Sequence, residues 1–572
     1  MRPLDYLVLV ASMLGIAVYG MWRSRSNATL QGYLSGKKDV GWGTIGISVM
    51  ATQASAVTFL STPGQGFESG MGFVQNYFGL PFALIIVAAV FLPLYRRSGV
   101  YTAYEYLGRR FDGKTRLLGA ALFLLQRGFA SGITIYAPAI VLSTVMGWDL
   151  DFTILGTGVL AILYTAVGGN DAVNITQKYQ MAVIFIGMFA AFVVLLLKLP
   201  ADVSTREAFA VAADFDKLNA VVFSFDLNQR YTLWSGIFGG IFLSLSYFGT
   251  DQSQVQRYLS GTSVRESRLG LMFNAVMKIP MQFFILLLGV MLFVFYQFSP
   301  APVFFDRTTW KHHVEAPGGE SLRAFEGAYA EQMESKRSAI RSWLAARSHQ
   351  DDQAMARAQA DVREAHAAAQ KVRTDAKAAL VALDPHVKTK DSDYVFITFI
   401  LEQLPVGLVG LLIAVIFAAA LSSLSAELSA LGTTTSVDVY RHVINRRGTD
   451  AQSLRFSKIA TAAWGVIAIV FALFANVVEN LIEAINILGS LFYGVILGMF
   501  LVAFFLRWVR GHAVFWGALL AQAGVLTCFF GNLKISYLWY NLIGCAACVL
   551  LSVIIQAFLR TTPPAPQPAT VA

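Results

Sequence analysis

The sequence is poor in charged residues. Only 14% of its 572 residues are Asp, Glu, Lys or Arg, against roughly 25% in an average soluble protein. Its mean hydropathy is +0.57, and long apolar runs recur along the chain, so we predict a polytopic helical membrane protein. The net charge of +9 does not indicate nucleic-acid binding, because the basic residues of membrane proteins gather in cytoplasmic loops.

Motifs for nucleotide hydrolysis, disulfide pairing and metal binding are missing. The sequence contains no G-x-x-x-x-G-K-[ST] motif, which argues against an ATP-driven pump. Its three cysteines, Cys528, Cys545 and Cys548, lie in apolar segments and are interpreted as packing residues. Five of the seven histidines fall in one hydrophilic segment without metal-ligand spacing. We therefore predict a gradient-driven carrier and not an enzyme.

Hydropathy windows predict about thirteen membrane spans. The first, Asp5–Trp22, has no A-x-A cleavage site and is predicted to remain in the protein. Short loops rich in Arg and Lys follow the odd-numbered spans, so we expect the N-terminus outside and the C-terminus in the cytoplasm of a plasma membrane, the inner membrane in a bacterium. The other spans are predicted at residues 41–59, 73–95, 117–146, 152–167, 179–199, 233–248, 269–298, 395–431, 459–474, 481–505, 514–530 and 537–558.

A hydrophilic insert between residues 300 and 394 interrupts the series of spans. Two helices are predicted in it, Ser321–Ala346 and Asp351–Leu383, joined by a short turn. We expect an extracytoplasmic helical hairpin, since long hydrophilic domains cross the membrane regardless of their charge. The hairpin is a candidate contact surface for another protein.

Two spans carry the signs of interrupted helices. Polar residues break the run Ala51–Gly66, which ends in a Pro and glycines, and Gly249 lies beside Asp251 in the run Ser244–Gln254. Broken helices at membrane depth are tolerated where they line a cavity or pack in protein, and a matched pair in two inverted repeats indicates the binding site of a secondary transporter. The alternative is two ordinary kinked helices.

The ninth span carries hydroxyl groups at membrane depth. Ala419, Ser422 and Ser423 are spaced i, i+3 and i+4, so they share one helix face. Two hydroxyl oxygens on that face are ligands of the kind that a hard cation such as sodium prefers. The alternative is close helix packing, in which each serine bonds a carbonyl of its own helix.

Several charged residues lie within predicted spans, where an ionisable group is costly without a partner. Those with a candidate role are Arg127, Lys278 and Glu427, whereas Glu479 and Glu483, at the start of the eleventh span, are expected at the membrane interface. We expect Lys278 to face a cavity and Glu427 to pair within the bundle.

Three runs resemble the sodium/solute symporters, a family that includes sodium/glucose, proline, sialic acid, iodide and monocarboxylate transporters. The runs are FLPLYRRSGVYTAYEYLGRRF (91–111), GTDQSQVQRYLSG (249–261) and AAALSSLSAELSALGTTTSVDVYR (418–441). The resemblance implies an all-α polytopic fold with an inverted five-helix repeat, like that of a bacterial leucine transporter. It also implies that a small solute moves inward with sodium by alternating access.

The resemblance implies two sites. The family's sodium site falls on Ala51, Ala54, Ala419, Ser422 and Ser423, with carbonyl oxygens from the alanines and hydroxyls from the serines. The solute site falls on Thr58, Tyr77, Ser244, Tyr247, Lys278 and Asn486.

The chain also departs from the family's patterns. Thr58, Tyr77 and Ser244 differ from the sugar pattern, and the run 249–261 is closer to the organic-anion and iodide members. Gln177 stands where members with an extra sodium site carry Asp. Our hypothesis is therefore one sodium ion per cycle.

On this pattern the chain divides into residues 1–40 (first span and cytoplasmic loop), 41–199 (first repeat), 200–232 (external loop), 233–299 and 395–507 (second repeat), 300–394 (insert), 508–560 (two peripheral helices) and 561–572 (a disordered tail). The predicted partners are the solute, sodium and the lipid bilayer, with no nucleic acid. Two other functions stay open: a proton-coupled or uncoupled carrier of the same fold, and a membrane receptor that uses the insert.

Overall fold

The computed structural model describes residues 2–24, 41–474, 480–531 and 533–559. Within these ranges some helical side chains, including those of Gln177 and Ser422, are outside the description. The α-helices, in chain order, are α1 Pro3–Ser24, α2 Trp42–Gln53, α3 Ala56–Ser69, α4 Leu80–Ile86, α5 Leu92–Ser98, α6 Ala103–Arg110, α7 Gly113–Met146, α8 Leu150–Leu197, α9 Thr205–Asp214, α10 Gly240–Thr250, α11 Gln252–Leu259, α12 Val264–Phe298, α13 Arg307–Glu315, α14 Glu320–Ser348, α15 Asp352–Leu383, α16 Val395–Gln403, α17 Leu408–Thr434, α18 Asp450–Phe474, α19 Leu481–Phe505, α20 Gly511–Phe530 and α21 Tyr537–Phe558.

Eight helical stretches among the described residues are long and apolar enough to cross a membrane. This confirms the prediction of an all-helical membrane protein, while the total of about thirteen spans stays a prediction. The stretches are Ala56–Ser98, Gly113–Met146, Val264–Phe298, Leu408–Ile444, Asp450–Phe474, Leu481–Phe505, Gly511–Phe530 and Tyr537–Phe558.

The predicted fifth and sixth spans lie in one continuous helix, Leu150–Leu197. Hydropathy had separated them because the residues between 168 and 178 are mostly polar or glycine. A helix satisfies its own backbone hydrogen bonds whatever its side chains are, so a polar stretch does not by itself end a helix. Shorter apolar stretches remain at its two ends, Leu150–Leu163 and Met181–Leu197.

Both predicted interruptions are present. Helix α2 ends at Gln53, and α3 begins at Ala56 after an extended Ser55. Helix α10 ends at Thr250, and α11 begins at Gln252 after an extended Asp251. Each break leaves the last carbonyls of one helix and the first N–H groups of the next without helical partners, so both breaks expose polar backbone to the interior of the bundle.

Glycines let the second half of the first broken helix pack closely on α12. A Cβ atom added at Gly289 would lie 2.1 Å from the carbonyl oxygen of Pro63, and one added at Gly66 would lie 2.4 Å from that of Leu286. These distances are too short for any side chain. The two helices therefore touch backbone to backbone.

The hydrophilic insert forms the predicted hairpin, from α14 and α15. Its two helices share a small core that includes Leu322, Tyr329 and Leu380. Ion pairs and packing attach it to the bundle: Arg341 lies 3.1 Å from Asp202, and Lys336 lies over the ring of Phe215. The side of the membrane on which it lies stays a prediction.

Candidate functional site

The two broken helices face α7, α17 and α19 around a cavity of about 80 Å³. Its wall mixes hydroxyls, amides and charged groups with a few apolar side chains, which suits a small polar solute. The lining residues are Thr52, Gln53, Ser55, Val57, Thr58, Asn76, Tyr77, Arg127, Thr134, Leu243, Ser244, Tyr247, Glu427, Ile482, Ile485, Asn486 and Tyr493.

The structure brings most of the predicted solute residues into this cavity. Thr58 and Tyr77 lie on one wall, Ser244 and Tyr247 on the second broken helix, and Asn486 on α19. They come from three distant parts of the sequence, so their meeting depends on the fold. Tyr247 is held in place because its hydroxyl accepts a hydrogen bond from Gln254 Nε2 at 2.6 Å.

Lys278, the sixth predicted solute residue, lies beside the cavity. Its side chain is fully buried, and its Nζ is 5.4 Å from the centre of the Tyr77 ring. Among the described residues, this Nζ has no hydrogen-bond partner. When it is protonated, an amine so close to an aromatic face gains some cation–π stabilisation but keeps unused donors.

The predicted sodium ligands meet at the first break. Ser423 on α17 lies with its Oγ 3.5 Å from the carbonyl oxygen of Ala51. The last helical hydrogen bond of α2 runs from Ala54 N to Met50 O, at 2.6 Å, so the Ala51 carbonyl falls in the first unpaired turn. The structure therefore places the Ala51 carbonyl and Ser423 Oγ together across two elements, and Ala54 directly follows the end of α2.

The two remaining predicted sodium ligands are Ala419 and Ser422, on the same helix as Ser423. Ala419 lies one helical turn before Ser423 on α17 and is buried. The side chain of Ser422 lies outside the described residues, as does that of Gln177. Their roles remain predictions.

A buried ionic cluster forms the end of the cavity beside the second break. Arg127 on α7 is 3% exposed and pairs with Asp251, and its Nη1 lies 3.2 Å from Glu427 Oε1. The hydroxyl of Tyr493 donates to Asp251 Oδ2 at 2.9 Å. The guanidinium also lies 5.5 Å from the ring centre of Tyr247. Arg127 therefore ties α7, α17 and the second broken helix together.

Sequence reasoning found only part of this cluster. It identified Arg127 and Glu427 as charges at membrane depth and expected Glu427 to pair in the bundle, which the structure confirms. It assigned no role to Asp251 or Tyr493. Asp251 carried a usable signal, since a carboxylate beside a helix break needs a cationic or N–H partner. Tyr493 carried none, because a tyrosine in an apolar helix has many uses.

Comparisons with known proteins agree with this geometry. The chain is 30% identical over 297 residues to the sodium/iodide cotransporter of Homo sapiens, covering 51% of this chain and 45% of that protein. It is 34% identical over 275 residues to the sodium-coupled monocarboxylate transporter 1 of Homo sapiens, covering 48% and 45%. In each comparison the match spans less than half the length of the curated relative.

A solved structure shares the whole fold. An outward-open, substrate-bound Na+-coupled sialic acid symporter aligns over 98% of both chains with a TM-score of 0.73 at 23% identity. At this identity the likeness establishes the arrangement of the helices, and the nature of the solute needs separate evidence.

The family model described as the sodium:solute symporter family matches residues 33–307 and 377–521. The matched ranges include both broken helices, Arg127, Glu427 and the cavity, and they leave out most of the hairpin. The chain thus belongs to the sodium:solute symporter family.

Proposed function

We propose that this protein is a secondary active transporter that moves a small anionic solute together with sodium. The observation that carries the proposal is the meeting of Ser423 Oγ and the Ala51 carbonyl oxygen, 3.5 Å apart, beside a polar cavity. The cavity and the break share α2, so an ion at the break can influence the shape of the solute site.

The geometry of the break favours a monovalent cation. An O–H···O hydrogen bond usually spans about 2.5–3.0 Å, so the separation of 3.5 Å between these two oxygens is long for a direct bond. Oxygen dipoles at this spacing can instead point at one ion between them. A site without a carboxylate holds sodium weakly enough to release it, which a symport cycle requires.

A basic side chain beside the cavity favours an anion as solute. Among the described residues, the Nζ of Lys278 has no hydrogen-bond partner, and it lies 5.4 Å from the centre of the Tyr77 ring, which lines the cavity. A carboxylate or a halide would supply the missing partner. The relatives named for iodide and for monocarboxylates are consistent with this class.

Reconstitution in liposomes tests the sodium site. The purified protein should first be screened for thermal stabilisation by iodide, lactate, nicotinate, glucose and proline, with and without sodium, since a true solute stabilises the folded state. Uptake of the best solute should collapse when choline replaces sodium, and should fall at least tenfold in S423A. The matched control is S552A, because the buried Ser552 bonds Cys548 O within its own helix at 2.6 Å.

Two outcomes would contradict the proposal. Uptake that persists in choline would favour the proton-coupled or uncoupled carrier. Equal sodium dependence in S423A and S552A would remove the sodium site from the first break. A sodium Hill coefficient near one is expected, and a value near two would reject the single-ion hypothesis.

A further inference from the structure

Glu427 has one carboxylate oxygen that nothing in the described structure satisfies. The side chain is 7% exposed and lines the cavity. Its Oε1 accepts from Arg127 Nη1 at 3.2 Å and from Thr134 Oγ1 at 3.5 Å. Its Oε2 has no hydrogen-bond partner among the described residues. A buried carboxylate oxygen without a partner is costly, so it marks a place where something else binds.

The cluster around Glu427 carries more negative than positive charge. Arg127 is its ion-pair partner among the described residues, and Arg127 also pairs with Asp251. Asp251 is already well satisfied, by Ser253 N at 2.9 Å, Ser253 Oγ at 2.6 Å and the Tyr493 hydroxyl at 2.9 Å. One guanidinium between two carboxylates leaves a formal charge of minus one in a buried site.

The titratable and charged groups that face Glu427 come from four elements. Arg127 belongs to α7, Asp251 to the second break, Tyr247 to α10 and Tyr493 to α19. The two phenols are neutral donors or acceptors at ordinary pH. Within the described part of the chain, these groups leave the excess charge on Glu427 and Asp251 unneutralised, and only Glu427 has an unused oxygen.

A proton suits this oxygen better than a metal ion does. A sodium ion needs several oxygen ligands around it, whereas a proton needs a single oxygen. Close to Glu427, the described structure shows two further hydroxyl oxygens, Thr134 Oγ1 at 3.5 Å from Oε1 and Ser131 Oγ, both on α7. The neighbouring carboxylate of Asp251 makes it easier for Glu427 to hold a proton, because like charges in one site repel, whereas the shared Arg127 favours the charged form of both.

We propose that Glu427 binds a proton at Oε2, taken from water in the cavity, and that this protonation favours binding of an anion in the same cavity. The O–H bond forms at Oε2 as hydronium becomes water, and the proton returns to water when the site empties. Neutral Glu427 removes one negative charge from the wall, which lowers the repulsion of an anion. The solute half of this proposal rests on the proposed function, whereas the protonation half does not.

Thermodynamic linkage between proton binding and anion binding determines how the anion affinity changes with pH. If protonated Glu427 favours the anion, the affinity for the anion rises as the pH falls, and anion binding draws a proton from solution. A non-titrating anion such as iodide isolates the protein's contribution. The change in apparent affinity should be roughly 5–150-fold across the titration, the usual range for coupled sites.

Infrared difference spectroscopy of the full-length protein in detergent tests the protonation directly. Lowering the pH should produce a protonated carboxyl band that E427Q lacks, E427D retains at a shifted position, and E402Q retains unchanged. Glu402 is a suitable control because it pairs with Arg307 at 2.6 Å outside the cavity. The same band in E427Q as in the parent protein would overturn the proposal, even if sodium-driven uptake were established.

The second measurement is the pH dependence of solute affinity. The probe is iodide, or the solute selected by the stabilisation screen if iodide fails to stabilise the protein. E427Q should bind it with an affinity that no longer changes with pH and that matches the parent at low pH, while E427D keeps the pH dependence. An unchanged pH profile in E427Q, or a sodium Hill coefficient that drops in E427Q, would show that this oxygen does not act through a proton.

Discussion

The ammonium group of Lys278 is fully buried on α12 and, in the part of the chain that the structure describes, has no hydrogen-bond partner. A group left unsatisfied in this way costs about 1–3 kcal/mol. We predict that K278M melts at a higher temperature than the parent protein but is no longer stabilised by the anionic solute. Thermal melting with and without solute measures both effects.

The control for Lys278 is K336M. Lys336 is also buried, but it lies over the rings of Phe215 and Phe293 at the hairpin, far along the sequence from the cavity residues. This variant should keep stabilisation by solute. If K278M kept it as well, Lys278 would have no part in binding the anion.

Asp393, which lies outside the membrane-spanning helices, makes the free energy of unfolding depend on pH. Burial raises the pKa of its carboxyl from 3.8 to about 6, while its Oδ2 accepts from Leu481 N at 3.2 Å. Between these pH values the folded protein holds a proton that the unfolded chain has lost. The free energy of unfolding therefore falls as the pH rises through this window and levels off above it.

We predict that D393N flattens this fall, because asparagine keeps the acceptor oxygen and cannot ionise. Melting temperatures measured from pH 4 to pH 7.5 test it. D384N serves as the comparison: hydrogen bonding to His386 lowers the pKa of Asp384, a partly exposed group of the same insert. A fall that persists in D393N would assign it to another group.

Helix contacts depend on glycine in one place and tolerate change in another. A Cβ atom at Gly289 would meet the Pro63 carbonyl oxygen at 2.1 Å, whereas one at Gly524 on α20 would meet nothing within 4 Å. We predict that G289A lowers the melting temperature and the sodium-dependent uptake, since it pushes the broken helix away from α12. G524A should be neutral or stabilising by up to about 1 kcal/mol, as alanine is the better helix former.

Helices and helix breaks were easier to predict from the sequence than the contacts between distant residues. The polar residues of the run Ala51–Gly66 predicted the first break, and Gly249 beside Asp251 predicted the second. The expectation that Pro63 and Gly64 end the first helix was wrong, because α3 continues through them to Ser69. The hairpin followed from its alternating charged and alanine-rich pattern. Hydropathy failed within Leu150–Leu197, where a polar stretch continues a helix.

Pairings between distant residues could not be predicted. Arg127 and Asp251 are 124 positions apart, and Arg127 and Glu427 are 300 positions apart. A charged residue at membrane depth indicates that a partner is needed, but a single sequence does not identify the partner residue. The same limit applies to Lys278. We expected it to face a cavity, but its Nζ lies against the ring of Tyr77.

At the scale of the whole molecule, the two ends of the hairpin lie close together. A Cβ atom at Gly318 would lie 3.5 Å from Leu383 Cδ2, so the two ends of the hairpin meet. The family model matches residues up to 307 and again from 377. We predict that replacing residues 321–381 with a short Gly-Ser linker leaves sodium-dependent uptake within about threefold of the parent, because loop closure across adjacent ends costs little.

The controls for this deletion keep the hairpin and change its attachment. R341A removes the ion pair with Asp202 and should leave uptake unchanged, since partly exposed pairs contribute little. Loss of uptake in the linker variant, with normal amounts of protein in the membrane, would make the hairpin part of the transport machinery.

The tip of the hairpin is also a suitable site for an engineered, accessible thiol, because the native cysteines are buried or partly buried. Cys545 and Cys548 are buried and Cys528 is partly covered, whereas Ser348 at the tip is exposed. A single S348C replacement would therefore react with a membrane-impermeant maleimide only from the compartment that holds the hairpin. Comparing the labelling of intact cells with that of inverted vesicles would then determine the orientation of the protein in the bilayer.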